Sequence, residues 1–375
     1  MQISHLKLVN FKNYAKAELS FCAKINCFTG LNGAGKTNIL DALHYLSFTK
    51  SNFNHSDTLH IKKEENFFVV EGKYFENGNT EQIICSFEKN KGKTIKRNGK
   101  KYQRYSEHIG RIPLVIISPD DSRLITGSGE ERRRFIDSVI SQYDREYLNQ
   151  LIKYQRILSQ RNKFLKSHAV HAPSAPETID IYNMQLHEAA SFIHRVRRDF
   201  INDLRPIFEH YYRFIAGDTE TVHLKYNSHL HKKELYELLT DNFEKDRILQ
   251  YTYHGIHRDD IDLYINDFKI NKSGSQGQQK TFLIALKLAQ YDFIKQLSGK
   301  NPILLLDDIF DKFDAERVKK IIHLIKENSF GQIFITDTNS NRIHNILADT
   351  QTEYRLFEVK NNAVNDLTDK HKHEA

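Results

Sequence analysis

The octapeptide GLNGAGKT at residues 30–37 lies between an apolar run at residues 25–29 and a stretch with helical spacing of apolar residues at 38–46. Its Gly-x-x-x-x-Gly-Lys-Thr spacing is typical of a phosphate-binding loop that joins a strand to a helix. Its glycines permit positive φ angles, so successive N–H groups point toward a phosphate, and the helix N-terminus adds a favourable dipole. An ordinary glycine-rich turn is the alternative, but all four fixed positions are present in the right context. The predicted nucleotide-binding residues of this loop are Gly30, Leu31, Asn32, Gly33, Ala34, Gly35, Lys36 and Thr37.

Two side chains of the loop have separate predicted roles. Lys36 is long enough to reach the β and γ oxygens of a nucleotide, which makes it a candidate catalytic residue. The hydroxyl of Thr37 is a predicted ligand of Mg²⁺, a cation that keeps several waters and needs few protein ligands.

Composition and charge exclude several classes of protein. The three cysteines, Cys22, Cys27 and Cys85, form no C-x-x-C pair, which argues against a disulfide framework and a zinc site. No apolar run of membrane-spanning length and no signal-peptide pattern is present, so we expect a cytoplasmic protein without a membrane partner. A net charge of +7 over 375 residues, with a pI near 9.0, favours a polyanionic partner if the charges cluster.

The chain changes character twice along its length. Residues 2–128 have the pattern of short strands and turns, with an Asn98-Gly99 hairpin signal. Residues 129–250 contain an 87-residue glycine-free stretch that predicts two long helices, about 130–166 and 179–212, with a connector around Pro173 and Pro176 and a kink at Pro206. Strand-and-turn texture returns in residues 251–375. We therefore predict an α/β head built from 1–128 and 251–375, interrupted by a helical insertion at 129–250.

The run PILLLDD at residues 302–308 predicts a buried strand that delivers two carboxylates to its C-terminal edge. Asp307 is placed to hold Mg²⁺, and Asp308 to orient or deprotonate an attacking water, as a second catalytic residue. An apolar strand ending in Asp-Asp is also a common turn signal. The phosphate loop favours the catalytic interpretation, because a magnesium nucleotide requires a carboxylate partner.

The octet SGSQGQQK at residues 273–280 precedes a long amphipathic helix, predicted at 278–296. Ser275, Gly277 and Gln278 at a helix start form a second predicted anion site, with free N–H groups and a hydroxyl. The alternative is an ordinary helix cap with exposed glutamines. Two phosphate-binding helix termini for one nucleotide are explained if the second completes the phosphate loop of another copy.

These three motifs, with LKLVNFKNY at residues 6–14, SPDDSRLITGSGEERRRF at 118–135 and HGIHRDD at 254–260, resemble the RecF family of SMC-related ABC-type ATPases over most of the chain. The resemblance implies an ABC-type P-loop ATPase head, lobe I, with an inserted helical lobe II. It also implies ATP and Mg²⁺ as cofactors, and a homodimer that forms with ATP, clamps DNA at single-strand gaps and hydrolyses ATP slowly. It implies RecR and RecO as partner proteins and RecA as an indirect partner.

The same resemblance assigns roles residue by residue. Residues 30–37 match the Walker A loop, 275–279 the signature motif and Asp307 and Asp308 the Walker B pair, while DKFD at 311–314 falls where the D-loop follows. Lys12, in NFKNY, matches a basic position near the nucleotide.

Some positions depart from the pattern. Asp308 stands where many ABC ATPases have a longer glutamate, which is in keeping with slow hydrolysis. Asp337-Thr338 follows the predicted strand at 332–336 where transporter-type members have a switch histidine, so the γ-phosphate sensor is not identified. In the HRDD stretch, we favour a structural role for His257, Asp259 and Asp260 over a catalytic one.

Basic residues concentrate on the predicted hairpin and on the insertion. We expect both to contribute to duplex binding, although such runs are more often solvated faces or ion pairs. The hairpin set is Lys91, Lys93, Lys96, Arg97, Lys100, Lys101 and Arg104, and the insertion set is Arg132, Arg133, Arg134, Arg195, Arg197 and Arg198.

Two other functions fit parts of the pattern. An ATPase subunit of a transporter or another ABC-type complex is disfavoured by the glycine-free insertion and the missing switch histidine. A small-molecule P-loop kinase would leave SGSQGQQK unexplained.

Overall fold

The computed structural model describes residues 1–54, 56–167, 177–309, 315–326, 330–340, 342–343 and 352–368. The predicted connector around Pro173 and Pro176 and the DKFD segment at 311–314 lie outside these residues. The strands of the structure are β1 Gln2–Phe11, β2 Tyr14–Ser20, β3 Ile25–Thr29, β4 Phe67–Glu76, β5 Asn79–Glu88, β6 Gly92–Arg97, β7 Lys100–Lys101, β8 Leu114–Ile117, β9 Val222–Asn227, β10 Asp260–Ile265, β11 Phe268–Lys269, β12 Ile303–Asp307, β13 Ile333–Asp337, β14 Tyr354–Lys360 and β15 Ala363–Asp366.

The α-helices are α1 Lys36–Phe48, α2 Arg123–Thr126, α3 Gly129–Ile140, α4 Arg145–Ser167, α5 Glu177–Ala216, α6 Leu235–Asp241, α7 Phe243–Leu249, α8 Ile270–Ser273, α9 Gln276–Ser298 and α10 Ala315–Lys326. No described helix combines the length and the apolar character needed to cross a bilayer.

The chain forms two compact units. Unit 1 comprises residues 1–121, 214–216 and 284–375, and unit 2 comprises 122–213 and 217–283. The predicted division placed 251–283 with the head, whereas here these residues belong to unit 2, because β10 pairs along its whole length with β9. The predicted domain bounds therefore stay a prediction, and the compact units differ from them most at the second boundary.

Unit 1 contains two six-stranded sheets. One is antiparallel, in the order β2-β1-β4-β5-β6-β7, and the other has the order β15-β14-β3-β13-β12-β8 with β14, β3, β13, β12 and β8 parallel. Helix α1 contacts strands of both sheets and is buried on nearly every face, as expected of a helix inside a core rather than on a surface. In the parallel sheet β13 lies between β3 and β12, so the carboxyl ends of all three strands meet at one edge.

Unit 2 holds α2 to α4, α6 to α8, most of α5, the first turns of α9 and a three-stranded antiparallel sheet in the order β11-β10-β9. This sheet was not predicted. The first long helix was also predicted wrongly: it is two helices, α3 and α4, separated at residues 141–144, where Asp144 accepts a hydrogen bond from the backbone N–H of Tyr147 at 2.8 Å. The second is confirmed and longer than predicted, since α5 runs for 40 residues through Pro206.

Candidate nucleotide site

The phosphate loop follows β3 and ends at the first turn of α1, as the sequence predicts. Gly30, Gly33 and Gly35 all have positive φ angles, of 152°, 79° and 113°. At Gly30 a side chain has no room, and at Gly35 a side chain would displace its neighbours. A Cβ at Gly30 would lie 2.3 Å from the carbonyl oxygen of Val359 in β14, and one at Gly35 would lie 2.4 Å from Nδ2 of Asn13. Val359 and Asn13 therefore confine the loop backbone on two sides, and its positive φ angles favour glycine.

Lys36 is buried, and its Nζ donates hydrogen bonds to the loop carbonyls of Gly30 at 2.9 Å and Leu31 at 3.2 Å. The ammonium group thus lies over the loop and donates to two carbonyl oxygens. The oxygens of an incoming phosphate can take the place of these carbonyls as acceptors. Leu31, Asn32 and Gly33 are exposed at the loop surface.

The predicted acidic pair lies at the carboxyl edge of the parallel sheet. Oδ1 of Asp307 accepts hydrogen bonds from the hydroxyls of Thr37, at 3.0 Å, and Thr336, at 2.8 Å. Burial raises the pKa of Asp307, while the two hydroxyl hydrogen bonds and Lys36 act in the opposite direction. The structure therefore brings the predicted metal ligands Thr37 and Asp307 together, although 270 positions separate them in the chain.

Asp308 adopts a left-handed backbone with φ 46°, and its N–H donates to the hydroxyl of Thr336 at 3.0 Å. Its Oδ1 atom is buried without a hydrogen-bond partner among the described residues. Leaving a buried carboxylate oxygen without a hydrogen bond is costly, so this atom is suited to a partner such as a bound water or an ion. Hard oxygen donors from Thr37 and Asp307 with an unpartnered carboxylate beside them fit Mg²⁺ and its waters.

In the described part of the chain, no hydrogen bond or ion pair joins the Lys12 side chain to the phosphate loop. Its Nζ pairs with Oδ2 of Asp41, a fully buried carboxylate on α1, at 2.6 Å. Its neighbour Asn13, which the sequence analysis missed, contacts the loop directly. Asn13 Nδ2 donates to the carbonyl of Ala34 at 3.4 Å and its Oδ1 accepts from Asn38 at 2.6 Å. The only sequence signal for this contact was its place within NFKNY.

The second predicted anion site lies at the start of α9. The hydroxyl of Ser275 accepts the N–H of Gln278 at 3.2 Å, while the Gln278 side chain accepts the N–H of Ser275 at 2.7 Å. This reciprocal pair is a capping box. Gln278 also donates to Glu220 at 2.5 Å, and Gly277 lies in the first turn. Ser275 remains exposed, while its N–H and that of Gln278 are both used within the capping box.

The HRDD stretch is embedded in unit 2. His257 Nε2 donates to the carbonyl of Thr252 at 3.0 Å, so Nδ1 accepts from the hydroxyl of Tyr154 at 2.8 Å, and burial lowers the pKa of this histidine to about 4. Asp259 pairs with the buried Arg197 at 2.8 Å, and Asp260 with Arg132 at 2.7 Å. These contacts support the structural interpretation of HRDD.

The basic sets are less available than expected. In the insertion set, Arg132 bonds to Asp260, Arg133 to the carbonyl of Asp259, and Arg197 to Asp137 and the buried Asp259, so these three side chains already have partners. The expectation that the insertion contacts DNA stays a prediction.

On the hairpin, whose Asn98-Gly99 turn is confirmed, Lys93 pairs with Asp57 and Arg97 with Glu81. Four exposed hairpin side chains have no hydrogen bond or ion pair among the described residues; they are Lys96, Lys100, Lys101 and Arg104.

Comparison with known proteins identifies the family. The model of the RecF/RecN/SMC N-terminal domain matches residues 2–365. A protein of Flavobacterium johnsoniae named DNA replication and repair protein RecF is 49% identical over 96% of this chain and 100% of its own length. A protein of the same name from Bacteroides thetaiotaomicron is 46% identical, over 98% and 99%.

Solved structures agree on the fold. A structure described as the recombination mediator protein RecF-ATP in the RecFOR pathway superposes with a TM-score of 0.88 and 28% identity, over 98% of this chain and 97% of that one. An SMC head domain from Pyrococcus furiosus, at 17% identity, shares the fold with a TM-score of 0.57 over 100% and 98%. The predicted α/β ABC-type ATPase fold is thus confirmed, and the chain belongs to the RecF family.

Proposed function

We propose that the chain is an ATP-dependent DNA-binding protein of recombinational repair and replication. The observation that carries this proposal is the contact of Thr37 with Asp307 at 3.0 Å beside the phosphate loop. Loop N–H groups and Lys36 would hold the triphosphate, and the oxygens of Thr37 and Asp307 would hold Mg²⁺. The ion, when bound, would neutralise charge on the β and γ phosphates.

Asp308 would act on the attacking water. Its Oδ1 atom is buried and unpartnered among the described residues, so a water hydrogen-bonded to it would satisfy the carboxylate and be oriented at the same time. The side chain is one methylene shorter than glutamate, which limits its reach. Slow hydrolysis follows, and slow hydrolysis suits a switch.

We assign Ser275, Gly277 and Gln278 to the triphosphate held by a second copy of the chain. Ser275 is exposed, its hydroxyl proton is left to donate because its oxygen accepts the N–H of Gln278, and the start of α9 supplies the positive end of the helix dipole. ATP would favour the paired state because only that state has the additional phosphate contacts. Hydrolysis would remove the γ-phosphate and release the pair.

DNA would be held by phosphate contacts that do not depend on sequence. Four exposed cations support this part of the proposal, since they have no ion pair among the described residues and are available to a polyanion. They are Lys96, Lys100 and Lys101 of the β6–β7 hairpin, and Arg104 shortly after it. The names of the relatives refer to DNA replication and repair and to the RecFOR pathway. From the family resemblance we propose a duplex or gapped DNA substrate, with RecR and RecO as partners in loading RecA. Three buried free cysteines agree with a reducing cytoplasm.

A mutation series tests the nucleotide cycle. Lys36→Ala should abolish ATP binding, whereas Ser275→Arg should bind ATP normally but fail to pair. Asp308→Asn should accumulate the paired state, since binding is kept while water activation is lost. Light scattering with and without ATP and a short duplex measures the pairing. Normal ATP-induced pairing by Ser275→Arg would refute the shared site.

Charge reversal on the hairpin tests the DNA contact. Replacing Lys96, Lys100 and Lys101 by Glu should weaken duplex binding and reduce the slope of log K against log salt by up to about one for each phosphate that is no longer neutralised. Lys91→Glu is the matched control, because Lys91 lies in the turn just before β6 but already pairs with Glu88 at 2.9 Å. Unchanged affinity and slope in the triple variant would exclude the hairpin.

A further inference from the structure

One hydroxyl links both aspartates of the site. Thr336, near the end of β13, is fully buried, and its Oγ1 accepts the backbone N–H of Asp308 at 3.0 Å. Because a backbone N–H can only donate, the hydroxyl proton is left for Oδ1 of Asp307, at 2.8 Å. Both hydrogen-bonding functions of the hydroxyl are therefore used, one on each residue of the pair.

The strand register explains why this residue can do so. β12 and β13 are parallel, with Asp307 opposite Thr336, so Thr336 is the neighbour of the pair on the strand between β12 and β3. β12 ends at Asp307, and the chain then turns at Asp308 with φ 46°. Aspartate adopts this conformation more readily than most non-glycine residues, because its short polar side chain tolerates it. The Thr336 hydroxyl adds a restraint on this turn by accepting the N–H of Asp308.

We propose that Thr336 is a positioning residue for the proposed ATPase site. It turns the carboxylate of Asp307 toward Thr37 and fixes the backbone that aims Asp308. This inference rests on the proposed ATP and Mg²⁺ binding, and it adds a residue that acts through the aspartates without touching the nucleotide.

A packing role alone makes a different prediction. Thr336→Val keeps the branched shape and removes both hydrogen bonds, whereas Thr336→Ser keeps the hydroxyl and removes a methyl group. If packing were the whole role, Val would be the milder change. If positioning is the role, Ser is the milder change.

The test uses the full chain and ATP titrations in Mg²⁺ and in EDTA, with thermal melting and single-turnover hydrolysis. Wild type and Thr336→Ser should gain affinity from Mg²⁺. Thr336→Val should lose about tenfold or more of that gain and of the hydrolysis rate, with its affinity in EDTA unchanged, as expected for a residue that orients a metal ligand. The matched control is Thr29→Val, because Thr29 is a buried threonine of the same sheet whose hydroxyl donates to the carbonyl of Phe357 at 3.3 Å.

The outcomes separate this inference from the function on which it rests. A wild type that binds no ATP refutes both together. ATP binding by the wild type with an unaltered Mg²⁺ gain in Thr336→Val refutes positioning alone, as does an equal loss in Mg²⁺ and EDTA. If Thr336→Val does not fold, Thr336→Cys against Thr336→Ser gives the same comparison, because a thiol is a weak donor and acceptor.

Discussion

Replacing Arg197 by Ala should destabilise unit 2 strongly. Arg197 is 1% exposed on α5 and makes charged hydrogen bonds of 2.8 Å to Asp137 and to Asp259. It also donates to the carbonyl of Ile256 at 2.8 Å and to the hydroxyl of Tyr147 at 2.9 Å. Burial acts to lower the pKa of Arg197, and the two carboxylates outweigh it and raise the pKa, so the guanidinium stays charged.

The magnitude follows from what the substitution leaves behind. Without Arg197, the fully buried carboxylate of Asp259 has no counter-ion, and breaking a buried pair in this way costs about 3–5 kcal/mol. For a unit of this size the melting temperature should fall by about 10 °C. Arg198→Ala is the matched control, since Arg198 is half exposed and pairs only with Asp199 among the described residues, an arrangement worth about 0–1 kcal/mol.

Urea and thermal denaturation of the two variants, with ATP hydrolysis measured on folded protein, decide the point. A large stability loss in Arg197→Ala and near-normal hydrolysis in Asp259→Asn at low temperature would agree with a structural HRDD stretch. Equal stability of the Arg197 and Arg198 variants would refute the reasoning. So would a loss of hydrolysis in Asp259→Asn without any loss of stability.

Three further predictions concern pH and the phosphate site. Burial lowers the pKa of His257 to about 4 from an ordinary value near 6.5. The contribution of the neutral histidine to folding stability is therefore complete above pH 6.5 and falls by about 3 kcal/mol as the pH drops to 4. Urea midpoints should show this dependence on pH, and His257→Gln should reduce it. Gly30→Ala should reduce ATP affinity at least tenfold in titrations because its Cβ meets the Val359 carbonyl, whereas Gly33→Ala, which strains φ but meets no atom, should cost less than about 2 kcal/mol. Burial raises the pKa of Asp307, so at pH values above that pKa the charged carboxylate lowers the stability of the folded protein. Asp307→Asn should therefore melt at a higher temperature than wild type at pH 7 without nucleotide, and the difference should vanish in acid.

Features encoded by short-range chemistry were predictable from the sequence. The phosphate loop needs glycines at fixed spacing, and the Asn98-Gly99 turn needs two residues with positive φ, which the structure shows at 47° and 79°. The strand β3 matches the bounds of the apolar run at residues 25–29, because a short apolar run followed directly by the glycine-rich loop leaves little choice.

Features set by tertiary contact were not predictable. The break between α3 and α4 has no glycine or proline, and its one local signal is Asp144 as a helix cap. β9 is a six-residue strand placed among helices, and only its pairing with β10 defines it. Thr336 carries no motif, because its contacts with the aspartates come from the register of β13 against β12. Single residues that act through a neighbouring strand leave no pattern in the sequence.

Lys12 illustrates how a structural requirement competes with a role inferred from family resemblance. Asp41 is fully buried, and a buried carboxylate without a cation costs several kcal/mol, so the ion pair at 2.6 Å answers a need of the fold itself. Asp41 also accepts hydrogen bonds from the hydroxyl of Ser51 at 2.7 Å and the N–H of Asn52 at 2.9 Å. If the ammonium group of Lys12 moves away, these two neutral donors still stabilise the Asp41 carboxylate in part. A movement of Lys12 toward a phosphate therefore weakens the charged part of this pair, and its contribution to ATP affinity is reduced by that amount.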